Sequence, residues 1–371
     1  MGIMVGLPSP SGSEKDLQLN FGKNMTVQVE MRASHLPAEW HMQSGIQLTW
    51  PHAGTDWAYM LAEVQECFIN IAREIAKREL LLIVTPEPEE VKKQIAATVN
   101  MNNVRFLECA TNDTWARDHG AITMIDTGTP SLLDFTFNGW GLKFASDKDN
   151  QITRRAVEAE ILKGRYMNRL GFVLEGGSIE SDGLGTLLTT SECLLSPNRN
   201  GQLNKVEIED YLRSTFHLER VLWLDYGYLA GDDTDSHIDT LARFCSPDTI
   251  AYVQCRDVND EHYEELHRME EQLKTFQTLA GEPYKLLALP MADKIEVEGE
   301  RLPATYANFL IMNNAVLYPT YNQPENDMRA QEVLQKAFPE HEIVGVDCRA
   351  LIKQHGSLHC VTMQYPMGVI K

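Results

Sequence analysis

Four short polar stretches of the chain hold groups that could do chemistry: residues 112–120 (NDTWARDHG), 172–178 (FVLEGGS), 231–240 (GDDTDSHIDT) and 354–363 (QHGSLHCVTM). The last carries a cysteine, Cys360, in a small, glycine-led setting. A thiol is a nucleophile only where its neighbours hold it as thiolate, so its use depends on acids, bases and cations elsewhere. His237 and Asp239 stand two apart, a spacing that puts a base and an acid on one face of an extended segment. Glu175 closes an apolar run before two glycines, which would let a backbone or ligand come close. Arg117 and Asp118 follow a strand-like run that ends near Ala110, and loops after strands commonly carry function. Each stretch alone also has a plainer reading: an ion pair in a surface turn, a solvated glutamate, a histidine merely oriented by Asp239, and a cysteine filling core space.

Four carboxylates and an imidazole between residues 232 and 239 suggest a cation site first. An EF-hand loop does not fit, because counting from Asp233 the sixth position is Ile238 rather than glycine and the twelfth is Phe244 rather than glutamate. A metal site of another kind stays open at this point. The chain has no Cys-x-x-Cys pair and no Gly-rich phosphate loop. No metal, nucleotide or flavin is called for.

The elements that must position these groups alternate. Met60, Val64, Phe68, Ile71 and Ile75 recur at helical spacing from Asp56, and LLLIVT (residues 80–85) then reads as a strand stopped by Pro86. The same order returns in EEVKKQIAATV with VRFLECA, and late in the chain in DMRAQEVLQKAF with EIVGVDC. This is an α/β chain. Further strands are expected in LLDFTFNGW, TLLTT and LIMNNAVLYPTY, and residues 358–363 around Cys360 read as another. No domain boundary is visible, and the polar motifs fall at intervals of roughly sixty residues, compatible with a repeated unit.

With 371 residues, 43% of them hydrophobic and 23% charged, the chain can bury a large core. A formal net charge of -20 argues against nucleic acid as partner and suits a cationic ligand. Seven scattered cysteines, an odd number, predict a reduced, cytoplasmic protein. The longest aliphatic run is far too short to span a membrane. Residues 1–24 read as a loose tail or leader with Met25 as a natural start, leaving residues 25–371 as a single catalytic domain.

Taken in order, W-x-R-D, E-G-G, H-x-D and the late GSLHC resemble the agmatine deiminase family, a group of guanidine-modifying enzymes related to the bacterial type of peptidyl-arginine deiminase. The resemblance runs from about Leu36 (LPAEWHMQSGIQLTWPH) to Pro366 and includes FNGWG near Trp140 and LPATYANF near Tyr306. It implies a five-bladed α/β propeller of ββαβ-type repeats around one central site, and a homodimer or larger assembly. It also implies roles: Cys360 as nucleophile, His237 as general acid/base, Glu175 as the carboxylate partnering that chemistry, Asp118 and Asp239 as clamps on a guanidinium, and Trp115 as a substrate contact. Two departures stand out. The family's usual R-D-T-G-P is Arg117-Asp118-His119-Gly120-Ala121 here, and its G-G-N-I-H-C is His355-Gly356-Ser357-Leu358-His359-Cys360. His119 is therefore expected to reshape the mouth of the pocket.

The chemistry so implied is hydrolysis of agmatine to N-carbamoylputrescine and ammonia through a covalent thiouronium on Cys360. A guanidinium enters protonated, so paired carboxylates must hold it while the thiolate attacks its central carbon. Peptidyl-arginine or free arginine would use the same groups, and an amidinotransferase would differ only in whether an amine or water resolves the intermediate. A papain-like protease expects the cysteine before the histidine and gives the aspartate pair no task. A catalytically silent cation-binding protein would explain the acidity but not Cys360 together with His237.

Overall fold

The helical stripe read from Val64, Phe68, Ile71 and Ile75 is the buried face of the helix Leu61–Ala76, led in by a short 3₁₀ turn at Asp56–Met60. The computed structural model describes residues 34–127 and 129–371; the expected tail at residues 1–24 and the next nine residues lie outside the described residues. The helix joins two parallel strands, Gln43–Thr49 and Leu80–Thr85, because parallel neighbours need a crossover of this length. Gly45 lets them meet: a Cβ there would stand 2.2 Å from the Leu80 carbonyl oxygen.

The same strand-helix-strand unit recurs four more times among the described residues. Its parallel pairs are Ser131–Thr136 with Arg165–Val173, Thr186–Thr190 with Arg220–Leu224, Thr249–Gln254 with Lys285–Pro290, and Ala315–Thr320 with Glu342–Asp347. The connecting helices are Ile152–Glu158, Lys205–Phe216, Tyr263–Leu273 and Pro324–Ala337. In every unit a further strand pairs antiparallel with the first of the two: Thr362–Pro366, Ile122–Asp126, Ile179–Ser181, Ala242–Ser246 and Leu310–Ile311, in the order of the units. The expected mixed α/β architecture is therefore built as five sheets of one pattern. The last of the chain's strands returns to the first unit, Thr362 opposite Leu48.

This arrangement fixes where chemistry can sit. The segment entering each antiparallel strand carries a polar residue: Asp118, Glu175, Asp239, Asn308 and Cys360. The rhythm of motifs in the sequence is the rhythm of these five loops.

Three local expectations are corrected. Residues 358–363 are not one strand, because the strand begins only at Thr362 and Cys360 lies in the turn before it. His237 and Asp239 are not on an extended segment: a 3₁₀ turn, Ile238–Thr240, starts directly after His237 and contains Asp239. The strand expected through LLDFTFNGW stops at Thr136. Beyond it Gly139, Trp140, Gly141 and Leu142 all have positive φ (65, 54, 85 and 70°). The Leu142 amide donates to Asn138 O at 2.9 Å and that of Lys143 to Gly139 O at 3.0 Å, which makes one left-handed turn. Such a conformation costs about 1–2 kcal/mol per non-glycine residue, which glycines at two of the four positions limit. It delivers the Trp140 indole to Asp118.

Candidate active site

The five loops converge on a buried cluster. Cys360 is only 6% exposed, and its Sγ lies 3.3 Å from Asn308 Oδ1, which also accepts from the Cys360 amide at 3.3 Å. The Arg117 amide donates to the Cys360 carbonyl at 3.1 Å, so the turn carrying the thiol is held against the Asp118 loop. Asp118 accepts from the Gly177 amide and from the Trp140 indole N–H, each at 3.0 Å and on a different oxygen. His237 Nδ1 stands 3.7 Å from Asp118 Oδ1. Gly177 is where these groups close ranks: a Cβ there would lie 2.6 Å from His237 Nδ1, 2.9 Å from Asp118 Oδ1 and 3.2 Å from Asp239 Oδ2.

Asp239 is fully buried, with Oδ2 2.7 Å from His359 Nδ1 and Oδ1 without a hydrogen-bond partner. The other nitrogen of His359 lies 2.7 Å from Glu39 Oε2, and that carboxylate takes Arg243 Nη2 at 2.6 Å. Arg243, wholly buried, also pairs with Glu180. Two carboxylates on one imidazole need a proton in each contact, so this ladder fixes the orientation of Asp239 and leaves its second oxygen free. Glu175 is equally buried; both its oxygens lie 2.9 Å from Arg199 Nε.

The electrostatics follow from burial. The Cys360 thiol is pushed well above its ordinary range by burial first and by the charges of Asp239 and Asp118 second, so without a bound cation it is protonated. Burial lowers His237 to about 3, against the pull of Asp239 and with Arg199 adding to the effect, so the imidazole starts neutral. Asp118 is raised by burial and by its neighbours Asp239 and Glu175. Burial would raise Asp239 too, but the hydrogen bond and charge of His359 outweigh it and keep this carboxyl low. A protonated thiol and a neutral imidazole among buried carboxylates form a site that would suit a cation.

A cavity of about 250 Å³ leads to the thiol; Cys360, Asp118, Trp115, Trp140 and Thr234 line it. Trp115 packs over Gly356, where a Cβ would come within 2.1 Å of the ring. Asp56, Tyr59, Asp113, Phe144 and Asp233 also face the cavity. Two basic side chains on its wall are already engaged: Lys353 Nζ with Glu63 at 2.7 and 2.9 Å, and His355 Nδ1 with the Gly231 carbonyl at 2.6 Å.

Among the described residues, Glu175, Cys193 and His237 bring one potential ligand atom each within 4.8 Å of one another. That donor set fits a metal poorly, because the Glu175 carboxylate is committed to the cation of Arg199. Asp232 and Asp235, of the acidic run at 232–235, are likewise spent on structure. Asp232 caps the turn by accepting from Thr234 Oγ1 at 2.6 Å and the Ser236 amide at 2.7 Å, and Asp235 takes Arg199 Nη1 at 2.5 Å and Lys143 Nζ at 2.9 Å.

All six residues singled out from the sequence fall in this region: Cys360, Asp118 and Trp115 on the cavity wall, His237 and Asp239 around Gly177, and Glu175 within 4.8 Å of His237. The hydrogen bonds of Glu175 go to Arg199, and the imidazole beside it is neutral. His119 is not at the mouth. It is buried with Nε2 3.3 Å from Thr49 Oγ1 and its ring against Phe137. Sequence reasoning missed Asn308, Arg199 and the role of His359. Asn308 lies in the quoted LPATYANF segment at the one repeat position left without a candidate, a signal that was available; Arg199, in a plain SPNRN stretch, gave none.

Residues 35–366 match the family described as Porphyromonas-type peptidyl-arginine deiminase. Agmatine deiminase from Ectopseudomonas mendocina is 33% identical, over 90% of this chain and 95% of its own. A Porphyromonas gingivalis crystal structure, described as a candidate arginine deiminase, is 51% identical with a TM-score of 0.86, covering 91% of this chain and 100% of that one. A cysteine-to-serine variant of C. jejuni agmatine deiminase with substrate bound is 38% identical, with a TM-score of 0.84 over 95% of this chain and 99% of that one. The relationship anticipated from four short motifs thus extends along almost the whole sequence, and the chain belongs to the Porphyromonas-type peptidyl-arginine deiminase family.

Proposed function

We propose that the protein is an agmatine deiminase, hydrolysing agmatine to N-carbamoylputrescine and ammonia with Cys360 as nucleophile. The observation that carries this reading is the free Oδ1 of Asp239, buried beside Asp118 and the Cys360 turn: an acceptor that lacks its donor in a site that lacks a cation. A guanidinium held by Asp118 and Asp239 supplies both. Its charge stabilises the thiolate, and the proton of Cys360 passes to neutral His237. The sulfur attacks the guanidinium carbon, the imidazolium gives its proton to the departing ammonia, and a thiouronium remains on Cys360. His237, neutral again, takes a proton from water as its oxygen bonds to that carbon. The C–S bond then breaks, releasing the ureido product and the thiol. Glu175 supports the imidazolium while it lasts, and Trp115 walls the substrate against Gly356.

The cavity mouth favours agmatine over free arginine. Its acids Asp56, Asp113 and Asp233 suit the second ammonium of agmatine, whereas an α-carboxylate would meet those acids and a lysine already paired with Glu63. Peptidyl-arginine remains the second reading, favoured by the family description and by the 51% identical relative. Residues 25–371 are read as one catalytic domain, of which residues 34–371 are described apart from residue 128. The five like sheets support a five-bladed propeller closed by the Thr362–Leu48 pairing. Cytoplasmic residence and a homo-oligomer, as a dimer, belong to the same proposal; no described helix is long and apolar enough to cross a membrane. Assay of ureido product on agmatine, free arginine and a blocked arginine peptide tests the reading. Turnover of agmatine at least tenfold above the other two is expected, and turnover of the peptide alone would overturn it.

A further inference from the structure

Arg199 has no place in the reaction as described and does not line the cavity, yet every nitrogen of its guanidinium is engaged. Its side chain is fully buried in the short helix Pro197–Asn200. Nε faces both oxygens of Glu175 at 2.9 Å, Nη1 reaches Asp235 Oδ2 at 2.5 Å and the Cys193 carbonyl at 3.5 Å, and Nη2 donates to the Thr234 carbonyl at 2.9 Å. Four of these five contacts lead to two places: the carboxylate beside His237, and the loop from Asp232 to His237 that carries the imidazole. That loop needs holding, because Asp235 and Ser236 both sit at positive φ, 63 and 62°, just before His237.

We propose that Arg199 is a positioning residue of this reaction: it clamps Glu175 beside His237 and ties it to the loop bearing His237, fixing the distance and charge state of the acid/base pair without touching substrate. The role rests on the proposed deimination, in which His237 must start neutral and become an imidazolium next to an ionised Glu175. Burial raises the Glu175 carboxyl and Arg199 is the main force against that rise, so without the arginine the glutamate would take up a proton and give an imidazolium no support. The planar fork of arginine matches this task, since one rigid group reaches the carboxylate, Asp235 and a backbone carbonyl at once; a lysine ammonium would reach only one or two of them. Asp235 extends the line outward to Lys143, 2.9 Å away on the turn that also carries Trp140. Charges thus alternate from Lys143 through Asp235 and Arg199 to Glu175.

The groups facing His237 set the sign of the expected change. Asp118 is 3.7 Å away, Glu175 and Cys193 lie within 4.8 Å, and Asp239 meets it across Gly177; Arg199, Asp235 and Lys143 act on it through their charges. Replacing Arg199 with glutamine removes one positive charge and leaves all the negative ones, so Glu175 and His237 together bind a proton at higher pH.

The test compares wild type, Arg199→Gln, Arg199→Lys and Asp235→Asn by two readouts. One is the titration of the His237 ring by NMR in the enzyme without substrate. The other is the pH profile of kcat on agmatine. In Arg199→Gln the ring signals are expected to report a proton taken up by the Glu175–His237 pair at least one pH unit higher than in wild type, and kcat to fall by about 10²-fold, the loss typical of a misplaced acid/base group, with KM within threefold. Arg199→Lys should restore the ring titration more than the rate, and Asp235→Asn, which leaves the Glu175 contact in place but removes a negative charge that acts on the imidazole, should give a smaller shift in the opposite direction. A His237 titration unchanged in both Arg199→Gln and Asp235→Asn would overturn the proposal. So would a fall in folding stability of Arg199→Gln with kcat per folded enzyme intact. The ring titration needs no turnover, so failure of wild type to act on agmatine would count against the proposed substrate and not against this role.

Discussion

Gly177 and His237 are so close that no methyl group fits between them: a Cβ on Gly177 would stand 2.6 Å from His237 Nδ1. The amide of Gly177 meanwhile holds Asp118 at 3.0 Å, so one residue spaces the imidazole and orients a clamp. Gly177→Ala should therefore leave the protein folded and push His237 or Asp118 aside. A displacement of about 1 Å is enough to cost roughly 10²-fold in kcat/KM. Steady-state kinetics beside a thermal melt check this; wild-type kinetics in a folded variant would refute it.

His359 holds Asp239 at 2.7 Å and is itself held by Glu39 at 2.7 Å. Asp239→Asn removes a buried charge opposite the substrate cation, a loss of about 2–5 kcal/mol for such a pair. We expect kcat/KM for agmatine to fall by at least about 30-fold. His359→Gln should act in the same direction through a raised KM, since it frees Asp239 to turn and removes the contact that keeps its carboxyl low.

The folding pattern was largely legible in the sequence, because helices such as Leu61–Ala76 bury a stripe of period 3.6 and short aliphatic runs such as Leu80–Thr85 are buried parallel strands. Local signals failed where tertiary contacts decide. Nothing in Leu358–Met363 says that its first residues form a turn, because the bond from Cys360 to Asn308 that holds it comes from a loop about fifty residues earlier. The left-handed turn at Gly139–Leu142 is stabilised by the Trp140–Asp118 contact, which no window of sequence contains. The thiol, imidazole and carboxylates that the structure brings together were visible as residue types in the four polar motifs. Arg199 was not, because a buried arginine is recognisable only by what it pairs with.

Cys360 is expected to label slowly with neutral iodoacetamide near pH 7 and faster as pH rises beyond 9, because burial and the nearby aspartates hold the thiol protonated. A cationic haloacetamidine should react faster at neutral pH, since it brings the missing charge with it. Peptide mapping separates Cys360 from the six other cysteines, all buried. Equal rates for the two reagents would contradict this account of the thiol.

Glu79 offers a prediction about stability alone. Its Oε1 accepts the Asn313 amide at 2.7 Å while Oε2 is buried without a partner, and burial raises the carboxyl from 4.5 to about 7 against the effect of that amide and of Arg78. A carboxyl raised in the folded state favours folding while protonated; its contribution is complete below pH 4.5 and lost as pH rises toward 7. Glu79→Gln should match wild type near pH 4.5 and exceed it above pH 7 by up to about 3 kcal/mol. Denaturant melts at the two pH values check the sign.

The central claim is a covalent bond between Cys360 and the guanidinium carbon. Acid quenching of the enzyme during turnover of agmatine, followed by intact-mass and peptide analysis, measures it directly. The account expects a species heavier by agmatine less ammonia, located on Cys360 and absent from Cys360→Ala. Turnover with full activity in Cys360→Ala, or an adduct on another residue, would contradict it.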